Sequence, residues 1–235
     1  ACRSLYKLLQ HGNSLDCRLG GGKSAGLGDE KVCGIHPKGD VARKAQGAHA
    51  RKRRLFQCGE KLLVRAAADG KPALGVGIVH SKSELKWCSS YAKGDRTDII
   101  ALRGDTTSGY MDGSDGWEKL KAACSDAESN PEKYPAWDYS LTYAKNNGLT
   151  GALATGWYLP TVAELYTIYQ NKDVVDASLL KTGGSQFGTR CYWSCCQYID
   201  FISICARALN FDSGDMLDSS IYLCHDYVCS VRAFN

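Results

Sequence analysis

The chain has 235 residues, of which 44% are hydrophobic and 23% charged, and a formal net charge of +4. This composition is globular, so it excludes a disordered chain, and the length excludes the small disulfide-stapled class despite twelve cysteines. No apolar run approaches the roughly 20 residues that span a bilayer.

Residues 1–55 read as a basic, Gly-rich N-terminal segment with weak periodicity. Its charge concentrates in Arg51-Lys52-Arg53-Arg54. Such a run suits a solvated arm, and no aromatic residue interleaves with it before Phe56 to stack on bases, so nucleic acid is not expected as a partner. Gly20-Gly21-Gly22-Lys23-Ser24 imitates a phosphate loop, but the position that needs the first glycine is Cys17, and no apolar strand precedes it. The opening Ala1-Cys2 matches the end of a lipoprotein processing site, which would place a lipid anchor on Cys2; a chain boundary explains the Ala equally well.

Residues 56–117 read as short strands and turns. Leu62-Leu63-Val64 and Leu74 to Val79 are the strand candidates, bounded by Asp69-Gly70 and His80-Ser81. Two helices are expected next. One runs near 116–129, with Trp117, Leu120 and Cys124 at helical spacing. After the breaks at Pro131 and Pro135, Trp137, Leu141 and Ala144 continue an apolar stripe. The other helix runs near 160–171. Thr161 followed by Glu164 fits a capping box, and Pro160 suits the extended residue before it. Leu165, Ile168 and Tyr169 form its apolar face, and Asn171 or Asp173 ends it.

From Thr182 to Asn235 there is no Lys and no Glu. Three strands, centred on Tyr192, Leu209 and Val231, are expected here. Two near-random stretches separate them, Tyr198 to Cys205 and Leu217 to Asp226. Randomising the first two bases of an Asn codon, with a pyrimidine third base, excludes Lys, Glu, Gln, Met and Trp. It admits Cys, Asp, Ser, Ile, Leu, Phe, Tyr and His, which make up most of both stretches. Compositional drift in a β-rich tail is the plain alternative, since Lys and Glu are depleted in strands anyway. Half of the cysteines lie in this tail, and the adjacent Cys195-Cys196 and Cys224-His225 pairs lack the spaced arrangement that turns two sulfurs onto one zinc. No metal and no Cys195–Cys196 disulfide is expected.

Asp115-Gly116-Trp117-Glu118, then Gly156-Trp157-Tyr158-Leu159-Pro160-Thr161 through Glu164-Leu165, then Tyr192-Trp193-Ser194, Ala206 to Phe211 and Tyr227 to Arg232 occur in order. Over about residues 60–235 the chain resembles bacterial surface domains with a C-type lectin fold, in the branch related to formylglycine-generating enzymes. With its scrambled tail it is similar to the variable proteins that diversity-generating retroelements diversify. The resemblance implies an α+β, C-type lectin-like domain over 56–235, with two helices and small twisted antiparallel sheets. It implies a variable ligand-binding region at about 190–235, displayed on one face. The expected ligand residues are Tyr198, Asp200, Phe201, Ile202, Ser203, Ile204, Asp212, Asp215, Leu217, Asp218, Leu223, His225 and Asp226. Tyr198, Phe201 and His225 would be anchors, and Trp193, Leu209, Phe211, Phe234 and Val231 a buried framework. The function implied is binding of an extracellular protein or glycan by a monomer at the cell surface, without catalysis or cofactor.

Two other classes stay open. Related folds include a cysteine-dependent oxidase, for which Cys195, Cys196 or Cys229 would need a thiolate-favouring setting. A calcium-dependent carbohydrate binder would use Asp212, Asp215 and Asp218, although the tail has no Glu to complete a cage.

Overall fold

The computed structural model describes the backbone of 61–65 and the residues 72–199 and 203–234. The basic arm, the Gly20–Ser24 run and the Ala1-Cys2 start lie outside the described residues, as do Asp200, Phe201 and Ile202.

The described part is α+β: five helices and two small antiparallel sheets. Strands β1 (Lys61–Arg65) and β2 (Ala73–Gly77) pair first. The chain then runs through turns to helix α1 (Gly116–Ala123), α2 (Pro135–Leu141) and α3 (Tyr143–Asn146). Strand β3 (Trp157–Tyr158) leads into α4 (Val162–Gln170) and α5 (Lys172–Thr182). The tail supplies β4 (Cys191–Ile199), β5 (Ile204–Asn210), β6 (Met216–Ser220) and β7 (Val231–Phe234). One sheet has the order β1-β2-β7-β3, the other β4-β5-β6.

The expected second helix begins where its caps place it. Thr161 is extended (φ −70°, ψ 164°), its hydroxyl accepts from the Glu164 N–H, and the Glu164 carboxylate accepts from the Thr161 N–H. That reciprocal box satisfies two donors that a helix start would otherwise leave open. Val162, Leu165 and Ile168 are then buried on one face.

Three expectations need correction. The first helix stops at Ala123, because Cys124 turns extended (ψ 91°); the apolar spacing through 129 is met by turns instead. Asn171 does end α4, but α5 starts at the next residue, burying Val175, Ser178 and Leu179. Its stripe is too narrow and polar to stand out in a periodicity reading. Finally, the tail has a fourth strand, β6, within the stretch expected to be irregular.

The core beneath the tail is aromatic. Phe187 stacks on Phe211 (centroids 4.3 Å, planes 11° apart), and Tyr192 and Tyr169 meet Phe211 edge-on. His80 caps this group, its Nδ1 2.9 Å from the Tyr192 hydroxyl. Trp87, Trp137 and Trp117 form a second aromatic group, and Trp87 donates to the Ser194 carbonyl at 2.9 Å. Each such burial contributes roughly 1.5–3 kcal/mol. Gly214 closes the turn between β5 and β6 with φ +81°, where any side chain would also collide with the Tyr169 ring.

Thr161→Ala should lower unfolding free energy by about 1–2 kcal/mol in urea titration. A loss below about 0.3 kcal/mol would show that the box does not hold the start of α4.

Candidate ligand-binding surface

The β4-β5-β6 sheet positions the candidate residues. Cys205 lies opposite both Tyr198 and Ser220, and Arg207 lies opposite Asp218. Because paired residues share a face and neighbours alternate, Tyr198, Cys205, Arg207, Asp218 and Ser220 point one way. Arg207 ties this face together. Its Nε donates to Asp218 Oδ1 at 3.2 Å, its Nη1 donates to the Gly104 carbonyl at 2.6 Å, and its Cζ sits 4.8 Å from the Tyr198 ring centroid. Ser203 is exposed beside them, its Oγ 3.6 Å from Cys205 Sγ.

The edge of β4 is fixed from below. Gln197 is buried, accepts from the Ile99 N–H at 2.8 Å and donates to the Thr97 carbonyl at 3.2 Å. This brings the segment 97–104 alongside Tyr198 and Arg207, with Ile100 exposed on it. Arg103 there pairs with Asp98 at 2.5 Å.

Other expected residues lie elsewhere. Ile204 and Leu217 alternate to the opposite face, where both are half-buried against the main core. They were expected to be exposed; the register puts them inward. Asp212 and Asp215 are exposed in the β5–β6 turn, at the far end of β5 from Ser203, roughly 20 Å away at 3.3 Å per residue. The turn is held by the Asn210 and Ser213 side chains, which accept from the backbone N–H groups of Asp212 and Asp215, so the carboxylates of the two aspartates take no part in it.

Leu223 and His225 are exposed on the connection from β6 to β7, and Tyr222 beside them is partly exposed. Asp226 departs from expectation. Its backbone bridges Leu85 (N–H to carbonyl 3.1 Å and 2.8 Å), and its Oδ2 is buried without a partner. Burial first, and the Glu84 charge second, push its carboxyl up to about 7. Of the expected residues, Tyr198 and Asp218 meet around Arg207, the β5–β6 turn lies at the other end of β5, and Leu223 and His225 follow the end of β6 at Ser220.

The framework residues lie beneath. Trp193, Leu209, Phe211 and Val231 are fully buried. Phe234 is only half-buried, with the Arg232 guanidinium over its ring. Sequence reasoning left Arg207 in the framework and gave it no role at the surface. A lone charge between Ala206 and Ala208 in an apolar strand was the available signal.

The chemistry of the remaining tail groups is constrained by burial. Cys195, Cys196 and Cys229 are fully buried. Burial pushes the Cys195 and Cys229 thiols up, away from thiolate. Among the described residues no group of three or more His, Cys, Asp or Glu side chains is placed to hold a metal ion.

Asp226→Asn tests the buried carboxyl. Its folded pKa lies above the ordinary carboxylate value, so the folded chain holds the proton more tightly than the unfolded chain. Stability from the neutral acid is complete below about pH 4 and is lost as pH rises through about 7. The variant should therefore gain thermal stability over the parent at about pH 8, and the gain should shrink toward about pH 4. A pH-independent difference would contradict this.

No protein-family model matches the chain, and comparison with curated proteins finds no match.

Proposed function

We propose that this chain is a surface-displayed ligand-binding protein whose C-terminal segments are diversified by a retroelement, on a C-type lectin-like variant of the α+β fold. The reading rests most on one contrast. Trp193, Leu209, Phe211 and Val231 have no exposed surface, whereas Ser203, Asp212, Asp215, Asp218, Leu223 and His225 are exposed. Randomising buried positions leaves cavities or unpaired polar groups, at several kcal/mol against a margin of about 5–15. Diversification survives only where most substitutions cost about 0.5 kcal/mol or less. In the described parts of the two near-random stretches Ser203, Asp218, Tyr222, Leu223 and His225 are exposed, and Ile221 alone is buried.

Binding at this surface would work as it does in other paratopes. Tyr198 offers a large, stiff contact, and Ser203 and Asp218 offer adaptable hydrogen bonds. The partner is an extracellular protein or glycan, met at the cell surface. Catalysis by the tail cysteines is the less favoured reading, since Cys195, Cys196 and Cys229 are fully buried.

The DNA flanking the coding region tests the mechanism. A near-copy of its 3′ end should carry Asn codons at positions such as 198, 203, 218 and 225, close to a reverse transcriptase gene. A single-copy 3′ end with no such gene nearby would sink the proposal.

A further inference from the structure

A cleft of about 230 Å³ lies between the loop at 106–111 and one side of α4, with no residue of the 190–235 tail in its lining. Its size is below the roughly 300–1,000 Å³ of sites for drug-sized ligands, so it suits a single small ring. The loop is a built feature. Gly104 and Gly109 bridge its base, and Asp105 accepts from the Thr107 N–H at 2.7 Å and the Ser108 N–H at 2.6 Å. Arg207 fastens that base to the tail sheet through the Gly104 carbonyl. On the other wall, Tyr166 stacks with Tyr169, which in turn meets the buried Phe211.

The lining decides the class of ligand. It has no Lys, Arg or His, so an anion finds no counter-charge. Its only carboxyl is Glu164, whose oxygens already accept from Thr161 N–H, Gly113 N–H and the Tyr158 hydroxyl. One saturated carboxyl does not make a cation site. Thr107 and Thr167 spend their hydroxyls on Asp105 and on the Ala163 carbonyl. Among the described residues, the side chains of Thr106, Tyr166 and Gln170 keep uncommitted neutral donors and acceptors. Met111 and Ala163 add apolar surface. Neutral two-way hydrogen-bonding groups around a small apolar patch match a ring with hydroxyls on its rim and C–H groups on its face.

We propose that this cleft is a calcium-independent subsite for a neutral hexopyranose. It is built by Thr106, Tyr166 and Gln170, all outside the 190–235 tail, so every diversified version of the chain would retain it. The subsite stands whether or not the tail is diversified.

The test is a titration of isotope-labelled protein with four neutral sugars in the presence of a calcium chelator: the methyl glycosides of glucose, galactose and mannose, and N-acetylglucosamine. At least one should shift the backbone amides of 106–107 and 163–170 saturably, with a Kd on the order of millimolar. Gln170→Ala and Thr106→Val, neither at a fully buried position, should each weaken that binding about 5–10-fold while thermal stability stays at the parent value. The proposal is overturned if none of the four sugars produces saturable shifts confined to those amides. It is also overturned if both variants bind like the parent, or if inorganic phosphate produces the same shifts.

Discussion

The buried carboxyl of Glu164 is the contact on which the rest of the structure depends. It is 3% exposed and accepts from the Thr161 N–H at 2.8 Å, the Gly113 N–H at 3.2 Å and the Tyr158 hydroxyl at 2.7 Å. Those donors belong to the start of α4, the turn before α1 and strand β3, so one side chain joins the β3–α4 junction to a turn about fifty residues earlier. Burial lifts its pKa to about 7 against the pull of these hydrogen bonds. An unpaired carboxylate in this position would be costly; three convergent donors are what make it tolerable. The tail hangs on the same point, because the Cys195 N–H donates to the Pro160 carbonyl at 2.7 Å.

From that anchor the logic of the surface follows. β4 is held on its edge by Gln197 and by the 97–104 segment, and on its two faces by the fully buried Trp193 and Tyr192, the latter packed in the aromatic core. Little of the sheet's stability then rests on what Tyr198 or Ser203 happens to be. Asp218 is different in degree, since it pairs with Arg207, but the guanidinium keeps its bond to Gly104 without it. A half-exposed ion pair of this kind contributes about 1 kcal/mol or less. The face is thus stiff in backbone and permissive in side chains, which is the combination a binding surface of changing specificity requires.

Much of this was readable from residues alone where a local rule governed. Thr161 and Glu164 announced the start of α4, because capping is decided within one turn. Strands at 62–64, 74–77, 192, 209 and 231 were legible as short apolar or aromatic runs between turn residues, whereas the α+β class came only with the family resemblance. What failed was nonlocal. Which face of β5 and β6 is covered is set by the distant segments packed on it and not by any local pattern, so Ile204 and Leu217 were placed outside when they pack half-buried against the core. Asp226 looked like any polar loop residue, and its burial comes from Leu85, more than a hundred residues earlier. Arg207 looked structural because its three partners, Tyr198, Asp218 and Gly104, meet only in the folded chain.

The central claim is that a fixed, buried framework underlies a surface whose residues are thermodynamically free to vary. The most direct measurement is the unfolding free energy of two panels of randomised variants. One panel changes Tyr198, Ser203, Asp212, Asp215, Asp218, Leu223 and His225; the other changes Trp193, Leu209, Phe211 and Val231. Most members of the first panel should lie within about 0.5 kcal/mol of the parent, and most members of the second should lose about 2–5 kcal/mol. Overlapping distributions for the two panels would contradict the account.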